Sequence, residues 1–241
     1  MLDGRIQNVE MSSARGEGKI KFPCGDLTLE GVLHLPDGSE PFPAVVVCHP
    51  HPLYGGAMDD FVVMAVCRAL LQESIAAFRF NFRGVGESDG LHGKGVGEQE
   101  DVKAAVSYLC SRQEVDATRI GLAGYSFGAG IALSVAPQEE RIQALAAVSP
   151  ALTAAFPSLK NYVKPKFLVV GSADTFIPSE RFLRLVGELA EPKEHHVVPG
   201  ADHFWLGYED VMVKSVASFF SRIFKEPARD GSKSYKEARG S

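Results

Sequence analysis

The sequence predicts an α/β fold: a mostly parallel sheet of about eight strands, opened by an N-terminal antiparallel hairpin and covered by helices on both faces. Three observations predict it. Short apolar runs alternate with longer segments striped at helical spacing, from Ala44 to the last helix. The strand runs are continuously apolar, as strands buried on both faces read. The residues capable of chemistry gather just past the ends of those runs, where open parallel sheets carry their sites.

Residues 1–16 form a polar arm with charges throughout and no apolar centre of the kind a signal peptide needs. Lys19–Pro23 and Leu27–Leu35 predict two strands joined at Cys24-Gly25-Asp26, a hairpin. Ala44–Cys48 (AVVVC) predicts a doubly covered strand. Met58–Glu73, long, apolar and free of Gly and Pro, predicts a buried helix, and Ile75–Phe82 the next strand. In Glu98–Arg112, Val102, Ala105, Val106, Leu109 and Cys110 fall on one helical face. Arg119–Tyr125 predicts a strand, Phe127–Val135 a helix, and Ile142–Val148 and Lys166–Gly171 further strands. Phe182, Leu185, Val186 and Leu189 stripe a helix, Glu194–Val198 closes the strands, and Met212, Val216, Phe219, Phe220 and Ile223 stripe the last helix. Residues 226–241 form a polar tail. One domain therefore spans residues 17–225. Between the Ile142–Val148 and Lys166–Gly171 strands, residues 149–165 leave room for one short helix and no cap domain.

Composition narrows the function. The chain has 241 residues, 45% hydrophobic and 23% charged, enough to bury a sizeable core. A net charge of −5 and the lack of any basic run argue against nucleic acid or an anionic membrane as partner. No apolar run reaches the length of a membrane span. Cys24, Cys48, Cys67 and Cys110 are scattered; the last three sit in apolar runs and read as small buried hydrophobes in a reduced compartment. These features point to a cytoplasmic protein.

Directly after the Arg119–Tyr125 strand stands Gly124-Tyr125-Ser126-Phe127-Gly128, which fits G-x-S-x-G, a sharp strand-to-helix turn that lifts a serine hydroxyl above the sheet. The same glycines also fit the dinucleotide turn of short-chain dehydrogenases. That turn belongs after the first strand, whereas here it follows about five strands, so the elbow is the better reading. A serine needs a base and the base an orienting carboxylate, in the chain order serine, acid, histidine. Asp174 follows the Lys166–Gly171 strand and His203 follows Glu194–Val198. Asp202 is a competing acid, but a sequence neighbour usually points away from the imidazole.

GYSFG, GSADTFIP, GADHFW and NFRGVGESDG (Asn81–Gly90) together resemble the α/β-hydrolase superfamily, over about Lys19 to Phe224. HPHPLYGG at His49–Gly56 resembles small hydrolases near the dienelactone-hydrolase and acyl-esterase branches. The resemblance implies an α/β-hydrolase fold with Ser126, Asp174 and His203 as catalytic triad. Dienelactone hydrolases carry cysteine where this chain has Ser126, which argues against that particular activity. The HPHPLYGG loop follows the Ala44–Cys48 strand, where the fold completes its oxyanion hole. One donor is the N–H of Phe127. The other is expected from His51, with Leu53 and Tyr54 behind it, because Pro50 and Pro52 have no N–H. A metal reading of His49 and His51 would require further ligands from later strands, and this alternation does not lay them out. Leu53, Tyr54, Tyr125, Phe176 and Phe204 are assigned to substrate binding. The expected activity is hydrolysis of a small-molecule carboxylic ester, with thioester or amide hydrolysis on the same fold, or ligand binding without catalysis, as the alternatives; no cofactor and no metal are expected, and a homodimer is compatible with the sequence.

Overall fold

The computed structural model describes residues 15–151 and 159–225, with side chains from residue 18; the polar arm up to residue 14 and the tail from residue 226 lie outside them. β1 (Arg15–Cys24) and β2 (Leu27–Leu35) pair antiparallel across a turn at Gly25, and β2 pairs antiparallel with β4 (Ala76–Phe80). β3 (Phe42–Cys48), β5 (Val115–Tyr125), β6 (Ile142–Val148), β7 (Lys166–Gly171) and β8 (Lys193–Val198) complete an eight-stranded sheet in the order β1-β2-β4-β3-β5-β6-β7-β8. From β4 to β8 every pairing is parallel.

The continuous apolar runs follow from helices on both faces. Alternate residues of β3 divide between two cores: Ala44, Val46 and Cys48 face one, Val45 and Val47 the other. The first core packs against α2 (Gly97–Cys110), α3 (Phe127–Val135) and α4 (Ser179–Glu188), the second against α1 (Phe61–Gln72) and α5 (Glu209–Lys225). Phe78, Phe80 and Leu122 are wholly buried, and a side chain of that kind contributes about 1.5–3 kcal/mol by leaving water. Cys24, Cys48 and Cys67 are buried and Cys110 half-buried, all as free thiols.

Several boundaries differ from expectation, two of them for local reasons that side chains make plain. α1 starts at Phe61, not Met58, because the Asp60 carboxylate caps it by accepting the N–H groups of Val62 and Val63. β5 starts at Val115, and its polar opening is masked in sequence by a turn in which Asp116 accepts from Thr118 and Arg119. β1 also begins earlier than the hairpin pattern suggests.

The topology positions the site. From β3 the chain crosses through α1 to β4, then returns through α2 to β5 on the other side of β3. The strand order reverses there, so a crevice opens past the carboxyl ends of β3 and β5. His49–Gly56 and Ser126 sit at those two ends. No separate cap domain covers the crevice: only residues 149–165 connect β6 to β7, and of these 152–158 lie outside the described residues.

Candidate active site

Ser126 alone makes the turn between β5 and α3. Its backbone holds φ 53° and ψ −113°, a region that costs a non-glycine residue about 1–3 kcal/mol. The turn is tied on both sides: the Ser126 N–H donates to Val148 O at 2.9 Å, and its carbonyl accepts from Gly130 at 3.1 Å and Ala151 at 3.0 Å. The flanking glycines are steric requirements. A Cβ at Gly124 would stand 2.4 Å from Gly128 O, and one at Gly128 2.4 Å from His49 O and 2.5 Å from Cys48 O.

The loops after β7 and β8 bring two further groups to this serine. His203 Nε2 lies 3.0 Å from Ser126 Oγ, and His203 Nδ1 lies 2.8 Å from Asp174 Oδ2. The other carboxylate oxygen of Asp174 accepts the N–H groups of Phe176 and Ile177, both at 2.9 Å. Burial works to raise the Asp174 carboxyl. Hydrogen bonds from His203, Ile177 and Ser149, with attraction to His203, outweigh it and hold the group below the usual carboxylate range. Asp202 is not part of this line: its carboxylate accepts the N–H groups of Phe204 and Trp205 in its own turn.

A supporting layer lies beneath. Trp205, wholly buried, donates its indole N–H to Ser149 Oγ at 3.1 Å, and Ser149 in turn hydrogen-bonds Asp174. Ser149 and Trp205 hold φ 42° and 64°, so three left-handed non-glycine residues converge here with Ser126. Tyr125, expected from the sequence to bind substrate, belongs to this layer instead. It is buried, its ring lies against His203, and its hydroxyl donates to His203 O at 2.9 Å.

The loop after β3 works through different atoms. His49 is fully buried; its Nδ1 donates to Pro50 O at 2.7 Å and its Nε2 accepts the Phe82 N–H at 3.1 Å. Burial pushes its imidazole down to about 4. His51 accepts the Leu53 N–H on Nδ1 at 3.2 Å; burial, then neighbouring His92, push its imidazole down, with Glu98 opposing. The N–H groups of Tyr54, Gly55 and Gly56 close the short turn Pro52–Tyr54, so Leu53 and Tyr54 have no free donor. Among the described residues, the N–H groups of His51 and Phe127 have no acceptor. Their rings are 4.6 Å apart, and His92 packs against both at 5.1 and 5.7 Å. His92 stands 2.8 Å from the buried carboxylate of Glu98, which also accepts the N–H groups of Gly93 and Gly95.

Among the exposed apolar side chains on these loops are Leu53 and Tyr54 after β3, Phe176 after Asp174, and Phe204 after His203. The motif residues of the sequence reading therefore converge, apart from Tyr125. That reading missed Ser149, His92 and Glu98 and gave Trp205 no role. Ser149 had a signal, since it stands immediately past β6 at the carboxyl end of a strand.

The profile of the family described as serine aminopeptidase, S33, matches residues 39–164. An uncharacterized protein of Rickettsia prowazekii, RP471, is 31% identical over 190 residues, covering 75% of this chain and 79% of that one. Several other curated relatives are longer, and the chain spans between half and two thirds of their length. Among solved structures, an alpha-beta serine hydrolase homologue from Coxiella burnetii matches at TM-score 0.78 and 33% identity, over 86% of this chain and 99% of that one. XC6422 from Xanthomonas campestris, described as an α/β serine hydrolase without lid, matches at TM-score 0.76 and 26% identity, over 89% and 99%.

Proposed function

The chain belongs to the α/β-hydrolase superfamily, in the family described as serine aminopeptidase, S33, and from that premise we propose that it is a serine esterase cleaving carboxylic esters through an acyl-enzyme. One observation carries the reading: the hydrogen-bonded line Asp174–His203–Ser126, with the N–H of the next residue, Phe127, and that of His51 on the β3 loop left without an acceptor among the described residues. Ser126 Oγ attacks the ester carbonyl while His203 Nε2 takes its proton. Asp174 keeps the Nδ1 proton in place and stabilises the imidazolium that forms. The carbonyl oxygen, now negative, is received by the N–H groups of Phe127 and His51. Collapse of this intermediate expels the alcohol, which receives the proton from His203. Water then attacks the acyl-enzyme by the same route in reverse. No step calls for a metal or a cofactor.

A fluorophosphonate probe tests the nucleophile, and a substrate panel tests the bond. The probe is expected on Ser126 and on no other serine. Esters are expected to turn over faster than matched thioesters and amino-acid anilides. An anilide with a free amino group that outpaces every ester would replace this reading with the peptidase activity the family's description names. A chain that is neither labelled nor active on the panel would be a binding protein on a hydrolase fold.

A further inference from the structure

We propose that Phe176 and Phe204 form the leaving-group subsite and select esters whose alcohol half is aromatic or similarly bulky and apolar; this rests on the roles of Ser126 and His203 proposed above. The chemistry fixes the side. The Ser126 Oγ–carbon bond forms, the bond from that carbon to the alcohol oxygen breaks, and the serine proton passes through His203 Nε2 to that oxygen. The departing oxygen must therefore come within hydrogen-bond reach of Nε2, and the rest of the alcohol lies against whatever walls His203.

Tyr125 backs His203 from beneath, and the walls that face solvent are two phenylalanines. The Phe176 ring centroid is 4.8 Å from that of His203, the Phe204 ring meets it edge-on at 5.7 Å, and the two phenyl rings stand 6.1 Å apart at 87°. They form a corner that stays open: Phe176 is 64% and Phe204 61% exposed. Neither is a loose surface residue. The N–H of Phe176 is held by Asp174, the carboxylate that orients the imidazole, and the N–H of Phe204 by Asp202. The two cation–π contacts among the described residues lie elsewhere, at Tyr108 and Tyr162. The two phenyl rings present faces and edges at right angles, which suits a ring or branched hydrocarbon packing edge-to-face. Near the oxyanion donors the imidazoles of His51 and His92 stand with the rings of Tyr54 and Phe127, so it is the contact with His203, and not aromatic character alone, that assigns the corner to the alcohol.

The test uses two isomeric esters that differ only in which half carries the ring: phenethyl acetate (alcohol) and ethyl phenylacetate (acyl), with ethyl acetate as reference. The full chain is expected to hydrolyse phenethyl acetate with kcat/KM at least about tenfold above its isomer, the scale on which an apolar pocket discriminates. In F176A/F204A, checked for fold by circular dichroism, the loss is expected to be about tenfold larger for phenethyl acetate than for ethyl acetate. A wild-type preference for ethyl phenylacetate would overturn the assignment, as would equal loss on both isomers in the variant. Either result leaves esterase activity standing. Failure of the underlying reading looks different, with no ester turned over and Ser126 unlabelled.

Discussion

The loops after β3 and β8 both carry histidine at the carboxyl end of a parallel strand, and they flank the same serine. They use it in opposite ways. After β3, both ring nitrogens of His49 engage backbone groups, and His51 turns Nδ1 onto the N–H of Leu53. After β8, both ring nitrogens of His203 engage side chains, a carboxylate and a hydroxyl. An imidazole lone pair that meets an amide N–H acts as a brace, whereas one that meets a serine hydroxyl can take a proton. The bonding partner assigns the role, and the residue type does not.

Disabling the line of side chains joined to the β8 histidine should have the largest effect. Ser126→Ala is expected to lower kcat by about 10⁶, the scale of nucleophile deletions, with the fold kept. Asp174→Asn should cost about 10⁴ by favouring the wrong imidazole tautomer, and Asp202→Asn far less, because Asp202 binds only its own turn. Steady-state kinetics of the pair decides which carboxylate orients His203; a larger loss at Asp202 would reverse the assignment.

Substitutions on the β3 loop should separate backbone from side chain. His51→Pro removes the free N–H and is expected to cost roughly 10²–10³ in kcat, the cost of an oxyanion donor. His51→Ala keeps the N–H and should cost much less; equal losses in the two variants, both folded by circular dichroism, would mean that the imidazole itself takes part. Metal chelators should leave both loops working.

The smallest effect on rate, and the clearest on stability, is expected at His49. An unfolded histidine takes up its proton near 6.5, whereas buried His49 resists until about 4. The unfolded state therefore binds more protons between those values, and stability must rise with pH across that window. The contribution is complete above pH 6.5 and is lost as pH falls toward 4, about 3 kcal/mol in all. His49→Gln, which can still donate and accept, should flatten that part of the urea-unfolding profile. An unchanged slope would mean that His49 is protonated in the folded protein.

The sheet was legible because burial on both faces leaves little room for polar residues. Phe127–Val135, Ile142–Val148 and Lys166–Gly171 match their predicted ends. Boundaries blurred where a polar side chain did backbone work, as Asp60 does at α1 and Asp116 at β5. Ser126, Asp174 and His203 were legible because each stands directly past a strand beside glycine or a turn residue. Their support was not: Trp205 reaches Ser149 across 56 residues, and no local spacing encodes such a meeting. Tyr125 misled through adjacency. On a strand, neighbours point to opposite faces, so the residue before the exposed serine is turned under the site.

Gly128 packs its backbone directly on the carbonyls of Cys48 and His49, main chain against main chain. The approach of the two loops that carry the proposed oxyanion donors is therefore set by atoms that every residue shares. The surrounding side chains can be exchanged without resetting it. A lineage built on this frame, or a designer working from it, can alter Leu53, Tyr54, Phe176 and Phe204 to reach new molecules while the reacting centre keeps its calibration.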